Sequence, residues 1–287
     1  MKNCNFLIFI VFVVILQGCI TVYQNQSKPA VTLPPPLPVW AVYLPTPELP
    51  AHSTIRPIPA HQGWTNLRME RDLERMAQVK ITGVLVVVTH VQLLGDSFHE
   101  RYRKFAELAE AQGLHVALLL TSLTNPAPAL DRDNIVQYLQ EQGLINFPSS
   151  LRNEAGMPLL LVADDFVLNG LQGNNNQTVC VWQLGHDVPA LPSGTLDVPS
   201  MRPEANGMLW IRAADNSGCA SVNRGRPTDD WMIRRRNGAP LKRQLDQARA
   251  VGATLLLLDS WNNYERGSFV ENNTLDQDAL LKILKNR

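Results

Sequence analysis

Residues 81–88 form a β-branched, nearly continuous apolar run, which fits a strand covered on both faces. Runs of the same kind recur at 39–44, where Pro45 ends the run, and at 115–120, 158–163, 178–184, 208–211 and 253–258. Helical spacing separates them. Leu67, Met69, Leu73 and Met76 recur at three and four, and Ser97 with Glu100 fits a capping box opening a helix whose apolar stripe is Tyr102, Phe105, Leu108 and Ala109. Leu241, Leu245, Ala248 and Val251 make a later amphipathic series, and a closing helix carries Leu280, Leu281 and Leu284. Strands alternating with helices over about 250 residues predict an α/β fold, either a (β/α)8 TIM-barrel-like arrangement or an open doubly wound sheet. Only seven runs are clear, so in a barrel one strand is short, hidden within 224–237, or missing.

Composition narrows the function. With 45% hydrophobic residues, 18% charged and 26 Lys+Arg against 26 Asp+Glu, the 287-residue chain has the make-up of a folded domain. Its zero formal charge removes the electrostatic case for nucleic acid, which depends on a basic excess. No CxxC or Cys/His cluster exists, and the six histidines (52, 61, 90, 99, 115, 186) lack close ligand spacing, so no metal and no cofactor is expected.

The N-terminus points to the cell envelope. Lys2 precedes an apolar run at 6–16, shorter than the roughly 20 residues of a membrane span and suited to a signal-peptide core. Leu16-Gln17-Gly18-Cys19 then resembles a bacterial lipobox, which implies cleavage before Cys19 and its lipidation. Ile20, rather than Asp, follows, so the resemblance implies an outer-membrane lipoprotein held to the membrane through its N-terminal lipid. Half of the 20 prolines fall between positions 29 and 59, and the run Pro34-Pro35-Pro36 marks a stiff, extended tether. The expected organisation is a signal peptide at 1–18, a lipidated tether at 19–38 and a barrel at 39–287. Cys180 and Cys219 are then the remaining thiols, either paired or separately buried.

Two observations favour the barrel over the open sheet. No Gly-rich phosphate loop follows the first strand. Polar residues gather instead just after the strands: His90, Thr121-Ser122, Asp164-Asp165, Gln183 with His186 and Asp187, Asp215-Asn216, and Asp259, where barrel enzymes carry their chemistry.

After the last strand, Asp259-Ser260-Trp261-Asn262-Asn263-Tyr264-Glu265-Arg266-Gly267-Ser268-Phe269-Val270-Glu271 resembles the Trp-Asn-Glu-Trp-x-Glu-Gly-Ser/Thr-Tyr-x-Glu signature of glycoside hydrolase family 99-like proteins, including the WbsX-like group. Tyr43-Leu44-Pro45, then Ile58-Pro59 and Trp64-Thr65-Asn66, is similar to that family's opening segment. An α-glucanase family with Trp-Asn-Asp-Tyr in the same place is a neighbouring resemblance. Either implies a barrel that handles polysaccharide or oligosaccharide. In family 99 two motif glutamates do the chemistry, one assisting attack by the sugar 2-hydroxyl and the other acting as acid and base. Aligned without gaps, those positions are Asn263 and Arg266 here, and neither side chain can do that work. Glu265 stands one place early and can serve only if the loop is re-registered.

Other carboxylates stand where they can compensate. Asp164 or Asp165 with Asp259 would supply the pair, about 5 to 10 Å apart, that glycosidases use. The catalytic candidates are therefore Glu265, Asp259, Asp164 and Asp165. Aromatic faces stack on sugars while amides and guanidinium groups bond hydroxyls. On that ground Trp64, Trp231, Trp261 and Tyr264 are candidate platforms, and Tyr43, His90, Asn262, Asn263 and Arg266 are further candidate contacts. Three functions fit: a hydrolase, a glycan-binding barrel that has lost catalysis and works in surface polysaccharide assembly or export, and a structural lipoprotein that docks an envelope protein partner.

Overall fold

The structure is a computed structural model that describes residues 36–46, 57–60, 63–121, 129–162, 167–169, 179–183, 208–212, 236–262 and 269–287. The chain divides into two compact units, Met1–Pro36 and Leu37–Arg287, and the elements below all lie in the second. In chain order they are β1 (Val39–Tyr43), α1 (Asn66–Gln78), β2 (Gly83–Thr89), α2 (His90–Leu93), α3 (Asp96–Ala111), β3 (His115–Thr121), β4 (Ala129–Asp131), α4 (Arg132–Glu141), β5 (Leu159–Val162), β6 (Val167–Asn169), β7 (Cys180–Gln183) and β8 (Met208–Arg212). A 3-10 turn (Arg236–Gly238), α5 (Ala239–Ala250), β9 (Leu255–Asp259) and α6 (Ala279–Lys285) complete the set.

The main sheet has the order β7-β5-β3-β2-β1-β9-β8, and every described pairing in it is parallel. β4 and β6 make a separate two-stranded sheet. Followed in chain order, the strands of the main sheet step in one direction, and the last, β9, pairs with the first, β1. A doubly wound sheet would reverse direction at a switch point. This chain instead winds back to its origin, so the sheet is a curled half-barrel of seven parallel strands, TIM-barrel-like, with helices outside. Its break in pairing, among the described residues, lies between β7 and β8. The stretch 224–235, where the sequence leaves room for an eighth strand, lies outside the described residues, and Arg236–Gly238 form the 3-10 turn.

The continuous apolar runs follow from burial on both faces. Val84, Val86, Val88, Val116, Leu118, Leu120, Leu256 and Leu258 pack with Met69, Leu73, Met76 and Phe105 on the helix side. The alternate residues Val42, Leu85, Ala117, Leu119, Leu159, Leu161, Leu255 and Leu257 form a second core on the inner face. Each fully buried Leu or Val contributes about 1.5–3 kcal/mol. Gly83 is where β2 meets the Trp40 indole, and a Cβ there would come within 2.5 Å of Trp40 Cδ1.

Two local expectations are corrected. The capping box is at Thr89 and Gln92, not Ser97 and Glu100: the Gln92 N–H donates to Thr89 Oγ1 at 3.2 Å, while the Thr89 N–H donates to Gln92 Oε1 at 3.1 Å. The chain turns into α2 directly at the end of β2, and α3 then starts behind Gly95 with no side-chain cap. Leu67 is 72% exposed, because the buried stripe of α1 runs through Arg68, Met69, Asp72, Leu73 and Met76, and Leu67 sits to one side of it.

Candidate functional site

Loops after the C-terminal ends of barrel strands frame the mouth. At the seam between the last strand and the first, the chain leaving β9 passes back against β1. The Trp261 N–H donates to the Val42 carbonyl at 2.8 Å. Asn262 then uses its side chain as a further ladder residue, since Oδ1 accepts from the Leu44 N–H and Nδ2 donates to the Leu44 carbonyl, both at 2.8 Å. The Val270 and Glu271 N–H groups both donate to the Trp261 carbonyl at 3.0 Å, so the two flanks of 263–268 meet at one point.

Beneath this seam lies a buried charged cluster. The Tyr43 hydroxyl donates to Asp72 Oδ2 at 3.1 Å, and Arg68 Nε donates to the same oxygen at 3.3 Å. Arg71 serves Asp72 Oδ1 through Nε at 3.2 Å and Nη2 at 3.0 Å. A carboxylate taken out of water needs this degree of compensation. Arg68 Nη1 also donates to the carbonyls of Pro45 and Gly63, each at 3.1 Å, and the guanidinium lies 5.7 Å from the centre of the Tyr43 ring. Burial, then the Asp72 charge, raises the Tyr43 phenol well above its ordinary value of 10.0, with Arg68 opposing. Tyr43 is therefore a neutral donor.

The candidate contacts fall into two groups. Tyr43 and Trp261 are wholly buried, Trp64 is 4% exposed, and Asn262 is buried. Tyr43 stacks on Phe105 at 5.1 Å, and Trp64 packs against Phe98 at 5.7 Å and Phe105 at 5.8 Å. Protein covers these side chains, and Tyr43, Trp64 and Trp261 belong to the core on the helix side of the sheet. Asp259 is half-buried, follows Leu255 and Leu257 on the inner face by alternation, and stands in register with Arg212 on β8. The remaining candidates, Asp164, Asp165, Trp231, Asn263, Tyr264, Glu265 and Arg266, together with Cys19 and the His90 side chain, lie outside the described residues. Among the described residues no group of His, Cys, Asp and Glu could hold a metal ion.

The structure also brings in two residues that the sequence pattern passed over and places two that it named. Arg68 and Asp72, at i and i+4 on α1, are charged side chains of the kind that ordinarily faces water on an amphipathic helix, yet both are buried. Glu271 is buried close enough to the Tyr43 phenol to act on it. Cys180 is a half-buried free thiol on β7.

Solved structures supply a parallel to this geometry. The chain is similar to the GH99 endo-α-mannosidase from Bacteroides thetaiotaomicron in complex with bis-tris-propane, with a TM-score of 0.61 and 11% identity over 86% of this chain and 95% of that one. A second structure of that enzyme gives a TM-score of 0.56 and 12% identity over the same shares. The likeness is one of fold. No protein-family profile matches the sequence, and no curated protein matches it.

Proposed function

We propose that this chain is a lipid-anchored envelope protein whose barrel hydrolyses a glycosidic bond in a polysaccharide. The observation that carries the reading is the strand order that returns to its origin, in a fold shared with an endo-α-mannosidase over most of both chains. Asp259 at the end of the last strand supports it as one carboxylate, with Glu265 or the Asp164–Asp165 pair as the source of the second. Because Tyr43, Trp64 and Trp261 are buried, stacking on the sugar falls to Trp231 and Tyr264. Cys19 carries the lipid, and the proline-rich tether holds the barrel away from the outer membrane.

The test is to incubate residues 20–287 with α-mannans, α-glucans and the host's surface polysaccharide, reading products by mass spectrometry. Product from the wild type that disappears in Glu265→Gln or Asp259→Asn identifies the acting carboxylate. A second reading, a barrel that binds glycan without cleaving it, is favoured by Asn263 and Arg266 at the positions of the family glutamates. It predicts affinity without product, in surface polysaccharide assembly or export. Loss of palmitate labelling in Cys19→Ala tests the anchor.

A further inference from the structure

The segment between β1 and α1 and the segment between β9 and α6 are joined at several separate points. Asn262 brackets Leu44 with its two bonds, and the Trp261 N–H holds the Val42 carbonyl. Farther out, the Ile58 N–H donates to the Asn272 carbonyl at 2.8 Å, and Pro57 and Asn273 form an antiparallel bridge. Asn273 is itself fixed, with Nδ2 on the Glu271 carbonyl at 2.8 Å and Oδ1 accepting the Leu275 and Asp276 N–H groups at 2.9 and 2.8 Å.

One side chain closes the first of these segments at its base. Pro45 stands two residues beyond β1 and Gly63 stands just before Trp64 and the α1 cap, and Arg68 Nη1 holds both carbonyls. Its Nε is anchored on Asp72, which the Tyr43 hydroxyl and Arg71 orient. Only a planar fork with several donors can take a carboxylate and two carbonyls at once, and a lysine ammonium cannot. Arg68 is 2% exposed, so water does not replace what the fork holds.

We propose that Arg68 is a positioning residue that makes these two mouth segments one unit, so that the flanks of the stretch carrying Glu265 are held in place from α1 as well as from β9. The site consequence rests on the glycan-acting reading above. The coupling itself does not depend on it.

Hydrogen exchange on the full chain tests the coupling. Arg68→Lys keeps a positive charge beside Asp72 but gives up the two-carbonyl hold. Exchange is expected to speed by about tenfold or more in peptides covering 57–60 and also in those covering 269–273, while β2 and β3 keep their protection. Faster exchange confined to 57–60 and α1, or spread evenly through the strands, overturns the proposal. Should Arg68→Lys fail to fold, Asn262→Ser approaches from the other segment, and a rise limited to 269–273 overturns the proposal equally. On a glycan that the wild type cleaves, Arg68→Lys is expected to lower kcat more than it raises KM. If the wild type acts on no glycan, the functional reading fails while the exchange result still decides the coupling.

Discussion

The seam where β9 meets β1 and the opposite side, where β7 and β8 lie, are built differently. At the seam β1 is bonded on both sides, and the pairing continues beyond the strands through the Trp261 backbone and the Asn262 side chain. A buried carboxylate, two arginines and a phenol brace it from the helix side. On the other side β7 pairs with β5 and β8 with β9, and Cys180, Val181 and Trp210 are half-buried. The difference teaches that closure of this sheet is not set by apolar strands alone. Where β9 meets β1, the Asn262 side chain standing in for backbone extends the ladder; between β7 and β8 the described residues show no such device.

Removing the centre of the brace has the largest expected effect. Asp72→Ala leaves Arg68 buried without its anion and takes the acceptor from Tyr43, for a loss of about 3–5 kcal/mol in urea unfolding. A loss no larger than that of an exposed ion pair, under about 1 kcal/mol, would show that the brace adds nothing to the seam. Next comes Leu257→Ala, in the middle of β9 and wholly buried on the inner face, at about 3 kcal/mol. That value measures apolar closure at the seam against its polar closure.

Legibility in the sequence divides along similar lines. All seven strands of the main sheet coincide with runs readable from residue type, four of them extending one residue further, to Thr89, Thr121, Arg212 and Asp259, because the stretch of a strand covered on both faces is almost wholly apolar. β4 and β6 span three residues each, too few to show a period. Arg68 and Asp72 are hidden because charges on an amphipathic helix ordinarily face water, and nothing local announces that Tyr43, 29 positions away, will meet them. Asn262 lies 218 positions from Leu44, and its motif neighbours suggest a sugar contact where the structure has a backbone clasp. Short-range pattern carries the fold; the seam is made by contacts between segments far apart in the chain, which no spacing rule encodes.

Tyr43→Phe is expected to cost about 2 kcal/mol, the range for a hydrogen bond to a charged group. Its pH dependence isolates the phenol. A group whose pKa is raised by folding contributes stability that is present below its unfolded pKa, here 10.0, and lost as pH rises beyond it. Tyr102, raised by burial, acts in the same sense. Arg287, lowered to about 10 by burial and by Arg249, acts in the opposite sense across the same alkaline range. Urea unfolding followed from about pH 9 to about 11.5 should therefore show stability falling above about pH 10. The fall should be shallower in Tyr43→Phe, and an unchanged slope would remove the phenol from the brace.

Cys180→Ala has the smallest expected effect and bears on the side opposite the seam. The thiol is half-buried on β7, in register with Leu159 and packed against the inner core. Truncating it removes one polarisable atom from a site where the surroundings are not closed on all sides, so about 0.5–1 kcal/mol is expected. Measured beside Leu257→Ala under the same conditions, it tests the contrast directly. A small loss places the rigidity of this barrel at the seam. A loss as large as that of Leu257→Ala would mean that β7 is packed as tightly as β9, and the contrast between the two sides would then rest on their hydrogen bonding alone.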